Sequence, residues 1–246
     1  MNFKDHFSGH ATDYARFRPG YPVGLFDAIA GLCLEHRLAW DCACGNGQAT
    51  AGLAERFDRV VATDASPQQI ESAVPIRGVE FRVAPAEHSG LPERSVDLVV
   101  VAQALHWFDT SRFYAEANRV LKPAGVLCVF AYEVCRVAAE VDAIIDRLYR
   151  DLAGPYWPPE RRHFDSGYET LSFPEPRLAL PPFDMRAQWT ADEMLGYLGT
   201  WSAVRRMHSE TGRDPVSELE PDFRAAWREK RREVRWPLVV LARRNS

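Results

Sequence analysis

Through residues 23–132, short apolar runs alternate with segments patterned for helix, and few folds accept that rotation. Leu38-Ala39-Trp40 ends at Asp41, and Val60–Thr63 ends at Asp64. Val79–Val83 reads as a third strand, and Val96–Ala102 is a continuous apolar run suited to a strand covered on both faces. Gly125 precedes a fifth, Val126–Tyr132. Between them lie Val23–Leu34, with Leu25, Ile29 and Leu32 at helical spacing, and Gln48–Phe57. Ser66-Pro67 opens a third helix with a hydroxyl cap and a first-turn proline. Asp109 can cap a fourth that runs to Leu121. Such a rotation predicts parallel βαβ units and a doubly wound, Rossmann-like α/β sheet with helices on both faces.

The second half lacks this rhythm. Ala138–Leu152 has helical periodicity, and Gly154–Pro182, rich in proline and aromatics, reads as a loop or lid. Thr190-Ala191-Asp192-Glu193 is a capping box, and another helix is expected over Val216–Lys230. Trp236–Leu241 is strand-like, with Pro237 expected at the strand's start or at a bulge, because proline cannot donate to a ladder. The expected organisation is one domain over residues 1–246. A cofactor-binding core spans about 1–135, a helical and loop cap that decides substrate about 136–232, and a final strand about 233–243.

A net charge of −4 provides no global basic field for nucleic acid. The arginines near residues 224–235 are interleaved with acids, as on a solvated helix face. Five cysteines, an odd number without CxxC spacing, suggest reduced thiols and neither a disulfide frame nor a metal site. No apolar run approaches the length of a membrane span, and the expected location is cytoplasmic.

The chemistry concentrates in Asp41-Cys42-Ala43-Cys44-Gly45-Asn46-Gly47, where the first strand turns into a helix. Small residues at Ala43, Gly45 and Gly47 let a ligand approach the backbone closely. Asp64, at the end of the next strand, can accept hydrogen bonds from ribose hydroxyls. A dinucleotide fingerprint would need a further glycine at Thr50, so a nicotinamide-dependent oxidoreductase is the weaker reading.

Asp41-x-Ala43-x-Gly45-x-Gly47 resembles the first motif of the class I S-adenosylmethionine-dependent methyltransferases, with alanine for the first glycine. Ala86–Pro92 followed by Ser95–Val99, and Arg119–Gly125, are similar to further segments of that superfamily's type 11 branch. Gln103-Ala104-Leu105-His106-Trp107-Phe108 and Phe7–Pro22 resemble its trans-aconitate-type small-molecule subgroup. The resemblance covers about residues 5–135. It implies a seven-stranded, mostly parallel sheet, with S-adenosylmethionine as cofactor and S-adenosylhomocysteine as product. Asp41, Ala43, Gly45 and Gly47 would cradle the methionyl part, Asp64 the ribose, and Ala65, Ala86 and Glu87 the adenine. Gln103 would lie under the cofactor, and Tyr14 or Arg18 would close over the methionyl carboxylate.

His106 and Trp107 follow the fourth strand at the carboxyl edge, where α/β ligands bind, so both are expected at the acceptor. His106 and Tyr14 are the candidates for catalytic work. Tyr132, Trp157 and Trp201 are candidate substrate-lining rings, as are Tyr156, Phe164, Trp189 and Tyr197; Arg205 and Arg206 are candidate anion handles. The expected reaction is in-line methyl transfer to a small molecule, at a carboxylate oxygen or a heteroatom. The competing reading is a catalytically silent cofactor-binding partner protein. Expected partners are the small-molecule acceptor alone, with no metal, nucleic acid or membrane, in a monomer or homodimer.

Overall fold

Each apolar run of the first half becomes a strand of one sheet, buried in the central strands and half-exposed in the edge strand Val79–Val83. The computed structural model describes residues 19–246. The strands are β1 (Leu38–Cys42), β2 (Arg59–Asp64), β3 (Val79–Val83), β4 (Val96–Ala102), β5 (Leu121–Tyr132), β6 (Phe183–Trp189) and β7 (Arg232–Arg244). Helices α1 (Val23–Gly31), α2 (Gln48–Ala54) and α3 (Pro67–Ser72) precede β1, β2 and β3, and α4 (Thr110–Val120) lies between β4 and β5, while residues 84–95 join β3 to β4 without the helix that a strict rotation would place there. The strand order is β3-β2-β1-β4-β5-β7-β6, parallel except that β7 runs against both its neighbours.

The continuous apolar β4 divides its residues by parity, as a two-faced strand must. Leu98 and Val100 join Leu25, Phe26 and Ile29 of α1 and Leu53 of α2 on one face. Val99 and Val101 join Phe113, Ala117 and Val120 of α4 on the other. Gly52 lets α1 and α2 approach closely: a Cβ there would lie 2.3 Å from the Phe26 ring.

A third apolar cluster fills the cap over β6 and β7. It takes side chains from α5 (Ala139–Asp146), the widened helical turn Arg147–Leu152, and α7 (Ala191–Gly199), α8 (Ser202–Thr211) and α9 (Pro215–Trp227). The capping box at Thr190 and Glu193 forms in full.

Several boundaries differ from the sequence reading. β5 begins at Leu121, not Val126, because Gly125 O and Ala124 N–H bond to Asn245 beside β7 and extend the pairing past Lys122-Pro123. The stretch 154–182 is not all loop, since it carries the short helix α6 (Arg161–Asp165). Two elements go beyond the sequence reading: β6, whose Phe183, Met185, Ala187 and Trp189 carry a period of two, and α8. Pro237 lies within β7, neither at its start nor at a bulge. There the pairing with β5 has ended beyond Leu238, while pairing with β6 continues at Asp184. Its carbonyl accepts from Glu133 N on the β5 side, so the missing N–H faces the side where the ladder has run out.

Candidate active site

β1 has β2 on one side and β4 on the other, so the strand order reverses there, and ligands of open α/β sheets bind at that switch. The loop after β1 and the loop after β4 both begin with a left-handed residue that is not glycine: Ala43 at φ 57° and Gln103 at φ 58°. Such conformations cost about 1 kcal/mol or more each and persist where the surroundings over-determine them. Gln103 is fixed by its backbone N–H to Phe130 O and its Nε2 to Tyr132 O, 3.2 Å away at the end of β5.

Asp64 organises the first loop. Its Oδ2 accepts Gly45 N–H at 2.9 Å and its Oδ1 accepts Ser66 N–H at 2.9 Å. At Gly45, φ is +57°, and among the described residues an added Cβ would meet only Gln69 Oε1 within 4 Å, at 3.8 Å. At Gly47, φ is +95° and a Cβ would press on the Phe81 ring at 3.3 Å, so glycine is required there by both conformation and packing.

Asp41 is fully buried at the end of β1. Thr50 donates its hydroxyl to Oδ2 at 2.5 Å, while Oδ1 is buried with no partner among the described residues. Burial, together with the nearby Asp64 charge, pushes its carboxyl up to about 7 against the Thr50 hydrogen bond. A buried acceptor left open costs roughly 1–3 kcal/mol, and a cationic donor would relieve it. The room left at Gly45 among the described residues, the ordered Asp64 carboxylate and the spare acceptor on Asp41 fit a nucleoside carrying an ammonium-bearing tail.

Ala86 is buried and Ala65 is half-buried near the same edge. Glu87 is half-buried and accepts Asp109 N–H at 3.2 Å, tying the loop after β3 to the start of α4.

After β4, Leu105–Trp107 make a single 3-10 turn that turns His106 inward. His106 Nδ1 lies 3.1 Å from Tyr168 Oη, the two rings stack at 6.0 Å, and Phe164 stands 6.1 Å away. Burial, then the charges of Arg161 and His163, hold its imidazole down at about 3. It is therefore neutral at physiological pH and a weak base. Trp107 is half-buried beside it, 4.7 Å between ring centroids.

Trp157 and Trp201 come together, 5.9 Å apart, with Tyr149 against both. Trp157 Nε1 donates to Tyr149 O. Tyr132 is half-buried against the cap cluster, whereas Trp189 and Tyr197 pack on the buried Trp236 as core. Arg205 bonds Gly199 O, and Arg206 pairs with Glu210 on the surface. Arg161, which sequence reasoning missed, joins the two aromatic groups. Its guanidinium lies 4.0 Å from the Phe164 centroid and 4.4 Å from that of Trp157, and its Nε donates to Tyr149 Oη at 2.9 Å. Tyr168 was missed as well; nothing in the loop-like run 154–182 marks which rings fold back on His106.

Tyr14 and Arg18 lie outside the described residues. Among those described, no group of His, Cys, Asp and Glu is arranged to hold a metal, and no helix is long and apolar enough to cross a membrane. All five cysteines are buried free thiols. Three arginines of the basic cluster are ion-paired: Arg224 bonds Asp192 and Glu220, Arg231 bonds Glu193, and Arg232 bonds Glu140.

A reversed-order sheet with an acid-anchored glycine loop at its switch point defines a nucleoside-cofactor-binding Rossmann-like protein. The Methyltransferase domain family matches residues 40–129. A protein named as a methyltransferase in Dictyostelium discoideum is 31% identical, over 97% of this chain and 94% of its own length. A solved structure described as a type II methyltransferase from Anaeromyxobacter dehalogenans is 48% identical, with a TM-score of 0.87 over 92% of this chain and 97% of its own. An uncharacterized methyltransferase of Mycobacterium tuberculosis is 38% identical over 49% of each chain. The chain belongs to the class I S-adenosylmethionine-dependent methyltransferases.

Proposed function

We propose that this enzyme transfers the methyl group to a small organic acceptor, at a carboxylate oxygen or a heteroatom, seated between the loop after β4 and the cap. S-adenosylmethionine, when bound, supplies an activated methyl on a sulfonium. Asp64 would meet the ribose hydroxyls at the end of β2, Gly45 and Gly47 would admit the methionyl part, and Asp41 Oδ1 would accept from its ammonium. Ala65, Ala86 and Glu87 border the adenine, and Gln103 supports the cofactor from below. Tyr14 and Arg18 are proposed to close over the methionyl carboxylate.

Support for a small acceptor comes chiefly from the rings that surround the strand ends. Trp107, Phe164 and Tyr168 group around His106, and Trp157 and Trp201 meet Tyr149. A dry, ring-lined site favours a reaction that removes positive charge from sulfur. The neutral imidazole of His106 orients an acceptor through a hydrogen bond and does not serve as a strong base. In-line alignment then carries most of the rate, as positioning contributes several kcal/mol when reacting atoms are held in contact.

The test is calorimetric titration with S-adenosylmethionine and S-adenosylhomocysteine, followed by an acceptor screen over small organic acids and heteroaromatics. Micromolar cofactor binding with methylated product from any of them supports the reading. Cofactor binding with turnover only on a macromolecule would sink the small-acceptor half of it.

A further inference from the structure

At the opposite edge of the sheet, where β4 and β5 begin, lies a cavity of about 260 Å³. Arg94 comes to it from the loop before β4, Asn118 from the end of α4, Leu121 and Pro123 from the start of β5, Arg243 from the end of β7, and Asn245 and Ser246 from just after it. It is smaller than the roughly 300–1,000 Å³ of sites for drug-sized ligands, which suits a small group.

The charge at this cavity is unbalanced. Arg243 is only 6% exposed, yet its guanidinium meets neutral oxygens: Nη1 donates to Arg244 O at 3.3 Å and Nη2 to Asn118 Oδ1. Among the described residues its Nε is buried without a partner, and so is the nearby Tyr114 hydroxyl. Arg244 likewise gives its two terminal nitrogens to Ala124 O and Leu32 O. Among the described residues no carboxylate forms an ion pair with Arg94, Arg243 or Arg244, whereas Arg224, Arg231 and Arg232 all have acidic partners. An ion taken out of water costs several kcal/mol unless a counter-charge repays it. Asn118, having turned Oδ1 to Arg243, presents its amide nitrogen as a further donor.

We propose that this cavity binds a small phosphoryl anion, either inorganic phosphate or a phosphate monoester. Arg94 and the Asn118 amide would bond its oxygens, and the buried Arg243 would supply the fixed positive charge. A guanidinium fork suits such an oxyanion through paired N–H donors. The wall is rigid: Asn245 Nδ2 bonds the carbonyls of Leu121 and Lys122, and Asn245 N–H bonds Gly125 O. The site stands apart from the methyl-transfer edge, since β4 begins just after Arg94 and ends at Ala102.

The test is thermal unfolding of the wild-type chain, Arg94→Ala and Arg243→Gln, titrated with sodium phosphate, with phenyl phosphate, and with sodium chloride at matched ionic strength. Bound anion should raise the wild-type midpoint beyond the chloride control in proportion to saturation. Arg94→Ala should weaken the apparent affinity about tenfold, the equivalent of one charged contact, and Arg243→Gln should abolish the response. Response to both phosphates marks free phosphate as sufficient, and response to phenyl phosphate alone marks an ester. A wild type that responds no more than to chloride overturns the site, as does an equal phosphate response in wild type and Arg94→Ala. Arg94 is exposed, so its variant decides the matter even if Arg243→Gln fails to fold.

Discussion

Gly45 and Asp64 are joined across the two central strand ends by one hydrogen bond, Gly45 N to Asp64 Oδ2 at 2.9 Å. The acid thus shapes the glycine loop before it meets any ligand. Asp64→Ala removes the acceptor of both Gly45 N–H and Ser66 N–H, and calorimetry should show cofactor affinity down by about 10- to 100-fold, as for hydrogen bonds to a charged group. Asp64→Asn keeps one carbonyl acceptor and should lose less. Equal losses in both would mean that Asp64 does not shape the loop.

Asp41 should make the cofactor-free protein less stable as pH rises. Its folded-state carboxyl sits near 7 against an ordinary 3.8, so the folded chain holds a proton that the unfolded chain releases. Stability from this group is full below pH 3.8 and falls away as pH climbs to about 7, by at most about 4 kcal/mol. Asp41→Asn, which can still accept from Thr50, should flatten that decline in denaturant melts between pH 4 and 8. It should also weaken cofactor binding. A variant with the wild-type slope would place the titration elsewhere.

His106 works in the opposite sense. Its imidazole is depressed from 6.5 to about 3, so the unfolded chain takes up the proton first as pH falls. Stability is full above about 6.5 and drains toward pH 3, and His106→Gln should reduce that acid sensitivity in the same melts. Between pH 6 and 8 the rate profile of the wild-type enzyme should carry no limb from His106. A rate limb near pH 6.5 that vanished in His106→Gln would contradict the buried neutral ring.

Arg161→Leu keeps apolar bulk but removes a cation that lies on Phe164 and Trp157 and bonds Tyr149. The expected loss is about 1–2 kcal/mol in chemical denaturation, from the ring contacts and one hydrogen bond. With that charge gone, nuclear magnetic resonance should show the His106 titration moving upward. An unmoved titration would show that Arg161 does not face it.

Gly52→Ala sets two effects against each other. Alanine gains about 1 kcal/mol of helix propensity, but its Cβ would lie 2.3 Å from a Phe26 ring wedged edge-on against Tyr21 and Phe130. Overpacking of this kind costs roughly 1–3 kcal/mol, so the melting temperature should fall. A rise would mean that the Phe26 ring swings aside freely.

Much of the motif that carries the family resemblance turns out to be scaffold. Asp97 accepts Arg37 N and Leu38 N on one oxygen and Lys122 Nζ on the other, binding the starts of β1, β4 and β5. Glu116 accepts the Ser89 N–H and hydroxyl and pairs with Arg119. Burial works against its ionised carboxyl, but these partners outweigh burial and hold it at about 2. Arg119 in turn bonds Leu91 O, so Ser89 and Leu91 of the one segment are clasped to Glu116 and Arg119 of α4.

The sequence by itself determined the βαβ core, the glycine loop and the two acids Asp41 and Asp64. Those signals are local, set by apolar period and by turns that only small residues allow. Tertiary structure alone decided that Asp41 would be sealed with an open lone pair, that His106 would be neutral against Tyr168, and that Arg161 would bridge two ring clusters. It also decided the order of β6 and β7, since a strand's neighbour and a side chain's solvation depend on segments more than 50 residues away, as Tyr168 is from His106. No local pattern encodes those distances; they exist only once the sheet has closed and the cap has packed.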